Sequence, residues 1–250
     1  MIELEGLCKR YGELEAVSGL DLKIEPGEIF GFLGPNGAGK TTTVKLITGL
    51  LQPSAGRVRV AGYDMATHAL EAKRLMGLIP DEPFVYPKLT GAEFLRFIGE
   101  LYLVPVEQQR RRIPELLEMF ELTAFGGELL ESYSHGMRQK LVLAGILLHE
   151  PKVLVLDEPM VGLDPKSARM AKEILQTLAK RGVTIFMCTH VLEIAEKLCR
   201  RVGIMIKGRL IALGTLEELR AQARKQGSDL EDVFLSLTGG QEYAALLKNF

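Results

Sequence analysis

The 250-residue sequence predicts an α/β fold: a mostly parallel sheet carrying helices, with antiparallel strands ahead of it and a helical block inserted between its strands. Three observations predict it. Short apolar runs alternate with helical patterns around a glycine-rich turn at 34–39. The first sixty residues alternate with the two-residue period of half-exposed strands. Residues 84–148 carry helical periodicity alone.

Taken in chain order, residues 2–8 and 20–24 alternate like strands, and "EIFGFL" at 28–33 is a short apolar strand running into the glycine turn. A helical pattern follows to about Leu51, then "GRVRVAG" at 56–62 alternates again. From Thr90 to about Phe120 the pattern is helical, with breaks expected near Pro105 and Pro114. Residues 137–148 give a helix with an apolar face, and "KVLVL" at 152–156 reads as a strand buried on both faces. A helix at 165–180, a strand at 183–188, a helix at 191–199 and a hairpin over 202–213 come next, with charged helices to the end. The expected organisation is an α/β core with its antiparallel β-subdomain over 1–83 and 149–215, a helical subdomain over 84–148, and carboxy-terminal helices over 216–250.

Bulk properties narrow the function. The chain is 47% hydrophobic and 25% charged, with a formal net charge of −1, which leaves no electrostatic footprint for nucleic acid. The arginine runs at 110–112 and 200–201 read as solvated faces. Cys8, Cys188 and Cys199 are widely spaced and form no C-x-x-C pair, as expected for reduced thiols in a cytosolic protein. The four histidines lack metal-ligand spacing. The acidic, alternating start is not a signal peptide, and runs such as "LVLAGILL" at 141–148 are too short to span a bilayer. Any membrane role would come through a partner.

The chemistry is concentrated in four places. "GPNGAGKT", from Gly34 to Thr41, fits the phosphate-loop pattern G-x-x-x-x-G-K-[ST]. Gly34, Gly37 and Gly39 let the backbone turn so that its N–H groups face phosphate oxygens. The helix beginning there adds a positive end. Lys40 brings a point charge to the β- and γ-phosphates, and the Thr41 hydroxyl is placed to ligate Mg²⁺. "VLVLDEP" ends a buried strand in Asp157 and Glu158, at the carboxyl edge where open α/β sheets bind ligands. Asp157 is placed to hold Mg²⁺ through water, and Glu158 to act as general base on an attacking water. "TIFMCTH" ends in His190, within reach of a γ-phosphate oxygen and that water. "YSHGMRQK" at 133–140 opens a helix, with Ser134 as either its N-cap or a phosphate donor.

Assembled in this order, the motifs resemble the nucleotide-binding subunit of an ATP-binding cassette (ABC) transporter, over nearly the whole chain. The resemblance implies a P-loop NTPase, RecA-like core that hydrolyses ATP with Mg²⁺. It assigns Gly34, Pro35, Asn36, Gly37, Ala38, Gly39, Lys40, Thr41 and Thr42 to the Walker A loop, and Asp157 and Glu158 to Walker B. Tyr11 matches the aromatic that stacks on adenine. Asp164, in "GLDP", matches the D-loop that joins two subunits, and His190 the switch histidine. Ser134, His135 and Gly136 stand in the signature, which would read the γ-phosphate held by another copy across a homodimer or heterodimer.

Two motifs depart from the usual spelling. His135 replaces a signature glycine, which is tolerable only if the backbone there is not left-handed. Asp81, in "GLIPDEP", stands where the family has a glutamine that contacts Mg²⁺ or the water and links core to helical block. An aspartate can still accept from metal-bound water. Phe84, Val85 and Tyr86, just after it, are the expected apolar contacts for a separate transmembrane permease. The S-H-G-M and P-D-E-P spellings, with "DLEDVFLSLTG" at 229–239, resemble the ABC-2-type exporter branch. The chain is therefore expected to be cytoplasmic, peripheral on the inner face of the cell membrane, and to power an exporter. The alternative is a non-transport ABC ATPase of DNA repair or translation, whose coiled coils, zinc modules or second cassette have no counterpart here.

Overall fold

A computed structural model describes residues 1–225 and 227–238. Two sheets form its frame. The first is antiparallel, in the order β2-β1-β4-β5, from β1 (Ile2–Tyr11), β2 (Leu14–Ile24), β4 (Ala55–Val60) and the short β5 (Tyr63–Asp64). Its alternation buries Ile2, Leu4 and Leu7 and leaves the charged residues between them more open.

The second sheet has six strands in the order β10-β9-β3-β8-β7-β6. It comprises β3 (Ile29–Leu33), β6 (Met76–Ile79), β7 (Val153–Asp157), β8 (Thr184–Thr189), β9 (Arg201–Ile206) and β10 (Arg209–Gly214). All neighbours are parallel except β9 and β10. β3, β7 and β8 are buried at every position, as their unbroken apolar runs require. Phe186 packs against Phe30 and Phe32 at ring separations of 6.0 and 5.3 Å. At the amino-terminal edge of this sheet, the Arg201 guanidinium donates to the nearly buried Glu28 carboxylate at 2.7 Å.

The helices follow local signals. α1 (Lys40–Ile47) begins in the phosphate loop, α2 (Ala69–Arg74) precedes β6, and α6 (Pro165–Lys180) starts where Asp164 caps it with proline behind. Between β6 and β7 stand α3 (Gly91–Leu101), opened by a Thr90–Glu93 capping box, then α4 (Val106–Met119), two single 3-10 turns and α5 (His135–His149). α7 (Leu192–Leu198), α8 (Leu216–Gln222) and α9 (Leu230–Thr238) pack together beside β3 and β9. The expected tail of helices beyond Thr238, Gly239 of the quoted ending included, lies outside the described residues. Among the described residues no helix is long and apolar enough to cross a membrane.

Two local expectations need correction. α4 passes through Pro114 without ending, because Ile113, Leu116 and Leu117 bury the opposite side while Pro114 faces solvent. The carbonyl left unpaired one turn earlier is then open to water. Val85 is only 9% exposed and packs in the core, so it is no surface contact, whereas Phe84 is 72% exposed.

Candidate phosphate-binding and hydrolytic site

The phosphate loop leaves β3 and is pressed between neighbouring backbones. A Cβ on Gly34 would stand 2.3 Å from the Met205 carbonyl oxygen, and one on Gly39 2.3 Å from that of Ala16. Gly39 also has φ +108°. No other residue fits either position. The first turn of α1 has no acidic residue and no side-chain cap, so its leading N–H groups remain available to an anion. Lys40 is 7% exposed, and its ammonium donates to the carbonyls of Gly34 (2.7 Å) and Pro35 (3.2 Å). It thus closes the loop on itself. Asn36 and Thr41 are exposed, while Ala38 is buried beneath the loop.

The acidic pair ends β7. Asp157 is 3% exposed. Burial pushes its carboxyl above the ordinary carboxylate range; the Thr41 hydroxyl and Lys40 pull it back, and the charges of Asp81 and Glu158 push it further up. Four of the expected site residues, Lys40, Thr41, Asp81 and Glu158, thus act on Asp157. Glu158 takes a left-handed backbone, φ +50°, at a cost of about 1–2 kcal/mol for an L residue. Its N–H donates to the Cys188 carbonyl at 3.0 Å. Its carboxylate accepts from the Thr189 hydroxyl (3.0 Å), the His190 N–H (2.9 Å) and the His190 ring Nδ1 (2.7 Å). The register that sets Asp157 beside Cys188 makes this meeting possible. Thr189 was not singled out by motif, because nothing before the register is known says it faces Glu158.

The donors here are hard oxygens: Thr41, Asp157 and Asp81. Among the described residues no group of three or more His, Cys, Asp and Glu side chains forms a metal cage. Such a set suits Mg²⁺, which is held by one or two protein oxygens together with phosphates and water.

The 133–136 turn is built differently from the phosphate loop. Ser134 caps α5, its hydroxyl oxygen accepting from the Met137 N–H at 3.3 Å, which leaves the hydroxyl proton free to donate. His135 is the first residue of α5 and is not among the left-handed residues, so its replacement of glycine meets no backbone penalty. Its ring lies against Gly162, where a Cβ would stand 2.5 Å from the imidazole Cδ2. Two further ties join α5 to the loop after Glu158. The buried Gln139 donates to the Pro159 carbonyl at 2.9 Å, and Lys140 stands 3.9 Å from Asp164. A polar residue on the buried face of an apolar helix was the only sequence signal for Gln139. Among the described residues no hydrogen bond joins 134–137 to 34–42.

Tyr11 ends β1 with its ring 46% exposed and the Lys9 ammonium 5.4 Å from its centroid. Asp81 is exposed just beyond β6. Asp164 caps α6, accepting from the Ser167 N–H at 3.0 Å and from the Ser167 hydroxyl, which holds its carboxyl below the ordinary range. Phe84, Tyr86 and Phe97 form an exposed aromatic patch, with edge-to-face rings 5.5 and 5.2 Å apart.

A family model described as "ABC transporter" matches residues 17–161. The daunorubicin resistance ATP-binding protein DrrA3 of Streptomyces coeruleorubidus is 40% identical over 95% of this chain and 74% of its own length. A Nod factor export ATP-binding protein I of Ralstonia nicotianae is 38% identical over 94% of this chain and 72% of its own length. Among solved structures, an ATP-binding subunit of an ABC transporter superposes with a TM-score of 0.91 at 32% identity, over 95% of this chain and 99% of that one. A dimeric, post-hydrolysis ATP-binding cassette, MJ0796 bound to ADP and Pi, gives 0.78 at 26% identity over 86% and 99%.

Proposed function

The chain belongs to the ABC transporter family as an ATP-binding, ATP-hydrolysing subunit, and from that premise we propose how its residues divide the work. The observation that carries the assignment is the placement of the Gly34–Gly39 loop with Lys40, and of Asp157 and Glu158, at the carboxyl ends of the parallel strands β3 and β7 that flank β8.

Lys40 exchanges the loop carbonyls it now holds for the β- and γ-phosphates, and the free N–H groups at the start of α1 bind the same oxygens. Tyr11 offers its open ring to the adenine. Thr41 and, through water, Asp157 would hold Mg²⁺, with Asp81 as a further acceptor beside them; the ion would supply neutralisation of charge on the β- and γ-phosphates. Glu158 takes a proton from the attacking water as its oxygen bonds to the γ-phosphorus and the bridge to the β-phosphate breaks. His190 holds the Glu158 carboxylate from two sides in the present arrangement. Its ring is exposed, so on nucleotide binding it is free to turn toward the γ-phosphate.

Ser134, His135 and Gly136 read the γ-phosphate held by a second chain, and Asp164 lies at the joint between the two. A two-fold pair buries the same patch twice, so two nucleotides are clamped head to tail. Either two copies of this chain or this chain and a related one can make that pair. The exposed patch of Phe84, Tyr86 and Phe97 receives a transmembrane permease, which puts the subunit on the cytoplasmic face of the membrane. The resistance and export names of the relatives favour an exporter.

The test uses Glu158→Gln. With ATP it should elute as a dimer in size exclusion, and with ADP as a monomer. Adding Gly136→Asp should abolish the dimer while ATP still binds, since the new carboxylate would face a γ-phosphate. A wild-type monomer whose specific activity is independent of concentration would overturn the reading in trans.

A further inference from the structure

A cavity of about 660 Å³ lies far from the phosphate loop. One wall comes from α4 and the end of α5, the other from α6 and the turn into β8. Lys152 and Val183, which line it, immediately precede β7 and β8. The phosphate loop and acidic pair stand at the opposite, carboxyl ends of these parallel strands. A five-residue strand at about 3.3 Å per residue puts roughly 17 Å of sheet between the two places. The volume falls within the range of small-molecule sites, about 300–1,000 Å³.

The walls are apolar: Leu116, Met119, Leu147, Met170, Ile174 and Leu178. The rim carries charge of one net sign. Arg112 pairs with Glu150 and also donates to the Leu147 carbonyl at 2.8 Å. Glu173 pairs with Arg169 at 3.0 Å. That leaves Lys152 and Arg181, neither in an ion pair among the described residues. The carboxyl ends of α5 and α6 also reach this rim and would oppose an anion. At the rim several of their carbonyls already have donors. Arg112 takes that of Leu147, and the N–H groups of Arg181, Gly182 and Val183 take those of Thr177, Leu178 and Ala179. The charge left without a partner is cationic.

We propose that this cavity is a second ligand site, for an amphipathic anion with an apolar body and a single acid group. The body fills the space between α4 and α6, and the acid group meets Lys152 and Arg181. Because one wall belongs to the helical block and the other to the core, the occupant holds the two at one spacing. A ligand preferring one spacing shifts the population toward it. This site does not depend on how the phosphate loop is read.

The probe is anilinonaphthalene sulfonate, an apolar body with one acid group, titrated into the purified full chain by fluorescence. Saturable binding of one molecule per chain is expected, undisturbed by ATP. Lys152→Glu with Arg181→Glu, both at exposed positions, should weaken it by about tenfold or more, less so at high salt. Ile174→Trp, which fills the cavity, should remove it. Retained nucleotide binding and an unchanged circular dichroism spectrum show that a variant is folded. The sulfonate-free parent compound should bind at least about tenfold more weakly. Wild-type affinity in the folded charge-reversal variant, or equal binding of the neutral parent, would overturn the anion assignment. Displacement by ATP, or unchanged binding to folded Ile174→Trp, would overturn the site itself.

Discussion

Replacing Asp157 by Asn should change the sign of the protein's stability difference from wild type according to whether nucleotide is present. Asp157 is buried, and burial is the main reason its carboxyl is held above the ordinary range. A carboxyl raised in the folded state binds a proton that the unfolded chain releases. Its contribution to stability therefore falls as pH rises from the unfolded value, about 3.9, through the folded one. At pH 8 the full cost of the buried charge is present, and Asn removes it. A typical substitution effect is about 1 kcal/mol, which for a chain of this size moves the melting temperature by about 2–4 °C. The nucleotide-free variant should thus melt above wild type at pH 8, and the gap should narrow as the buffer approaches pH 5. Ligand works the other way. ATP with Mg²⁺ at a hundred times its dissociation constant stabilises by about 2.7 kcal/mol, or roughly 5–11 °C. The part of that shift lost on adding EDTA should be absent from the variant. Differential scanning fluorimetry without nucleotide, with ATP and EDTA, and with ATP and Mg²⁺ reads all of this. A nucleotide-free variant melting below wild type at pH 8 would refute the reasoning, because the pull of the Thr41 hydroxyl and the Lys40 charge would then outweigh burial. An unchanged response to Mg²⁺ would refute the ligand assignment.

Lys40→Ala should weaken binding of a fluorescent ATP analogue by about tenfold to a hundredfold, the worth of one charged hydrogen bond, and wild-type affinity would count against the loop. Gly162→Ala sets a Cβ against His135 at a left-handed position, φ +79°, and should cost roughly 1–3 kcal/mol in urea denaturation. Adding His135→Gly should recover part of that cost; no recovery would mean that the ring is not the obstacle. His149 is half-buried and stacked on Tyr102 at 3.7 Å; loss of water around the ring lowers its pKa, against the pull of the Gly145 and Met76 carbonyls. The folded chain then resists a proton that the unfolded chain accepts, so stability is lost as pH falls below about 6.5. His149→Phe should flatten that loss between pH 7 and pH 5 in urea titrations, and an unchanged slope would reject the cause.

Much of this architecture was legible where local and long-range signals agree. The bounds of α6 were readable because Asp164 and Pro165 make a start signal and Gly182 follows its end. β7 and β8 were readable because strands covered on both faces are unbroken apolar runs. β6 was not, having only four residues, one of them Gly77. That glycine is there for space: Ile146 and Leu154 side chains occupy the place of its Cβ, at 2.7 and 2.8 Å. Pro114 misled because a proline on the solvent side of a helix costs less than one facing the core. In the site, motifs located Lys40, Asp157, Glu158 and His190, but not the bonds among them. Those depend on the β7–β8 register, which no local pattern records.

The turn at 134–136 shows what the substituted signature has become in this chain. Three ties run from this turn and the start of α5 to the loop after Glu158: His135 on Gly162, Gln139 to Pro159 and Lys140 toward Asp164. These ties lie within one chain. In the head-to-tail pair proposed above, that chain would offer its turn to one nucleotide and its acidic pair to the other. Elements this closely packed shift between discrete arrangements rather than deforming smoothly. Under the proposed pairing, a change at Glu158 would then pass through about four residues of loop to the turn that faces the other nucleotide. The histidine in place of glycine strengthens that link, since an imidazole reaches Gly162 and a hydrogen atom would not. Glycine at 162 is the matching requirement, because any side chain there would push the two apart. The substituted histidine and a glycine that its left-handed backbone already favours, φ +79°, therefore meet in a single contact.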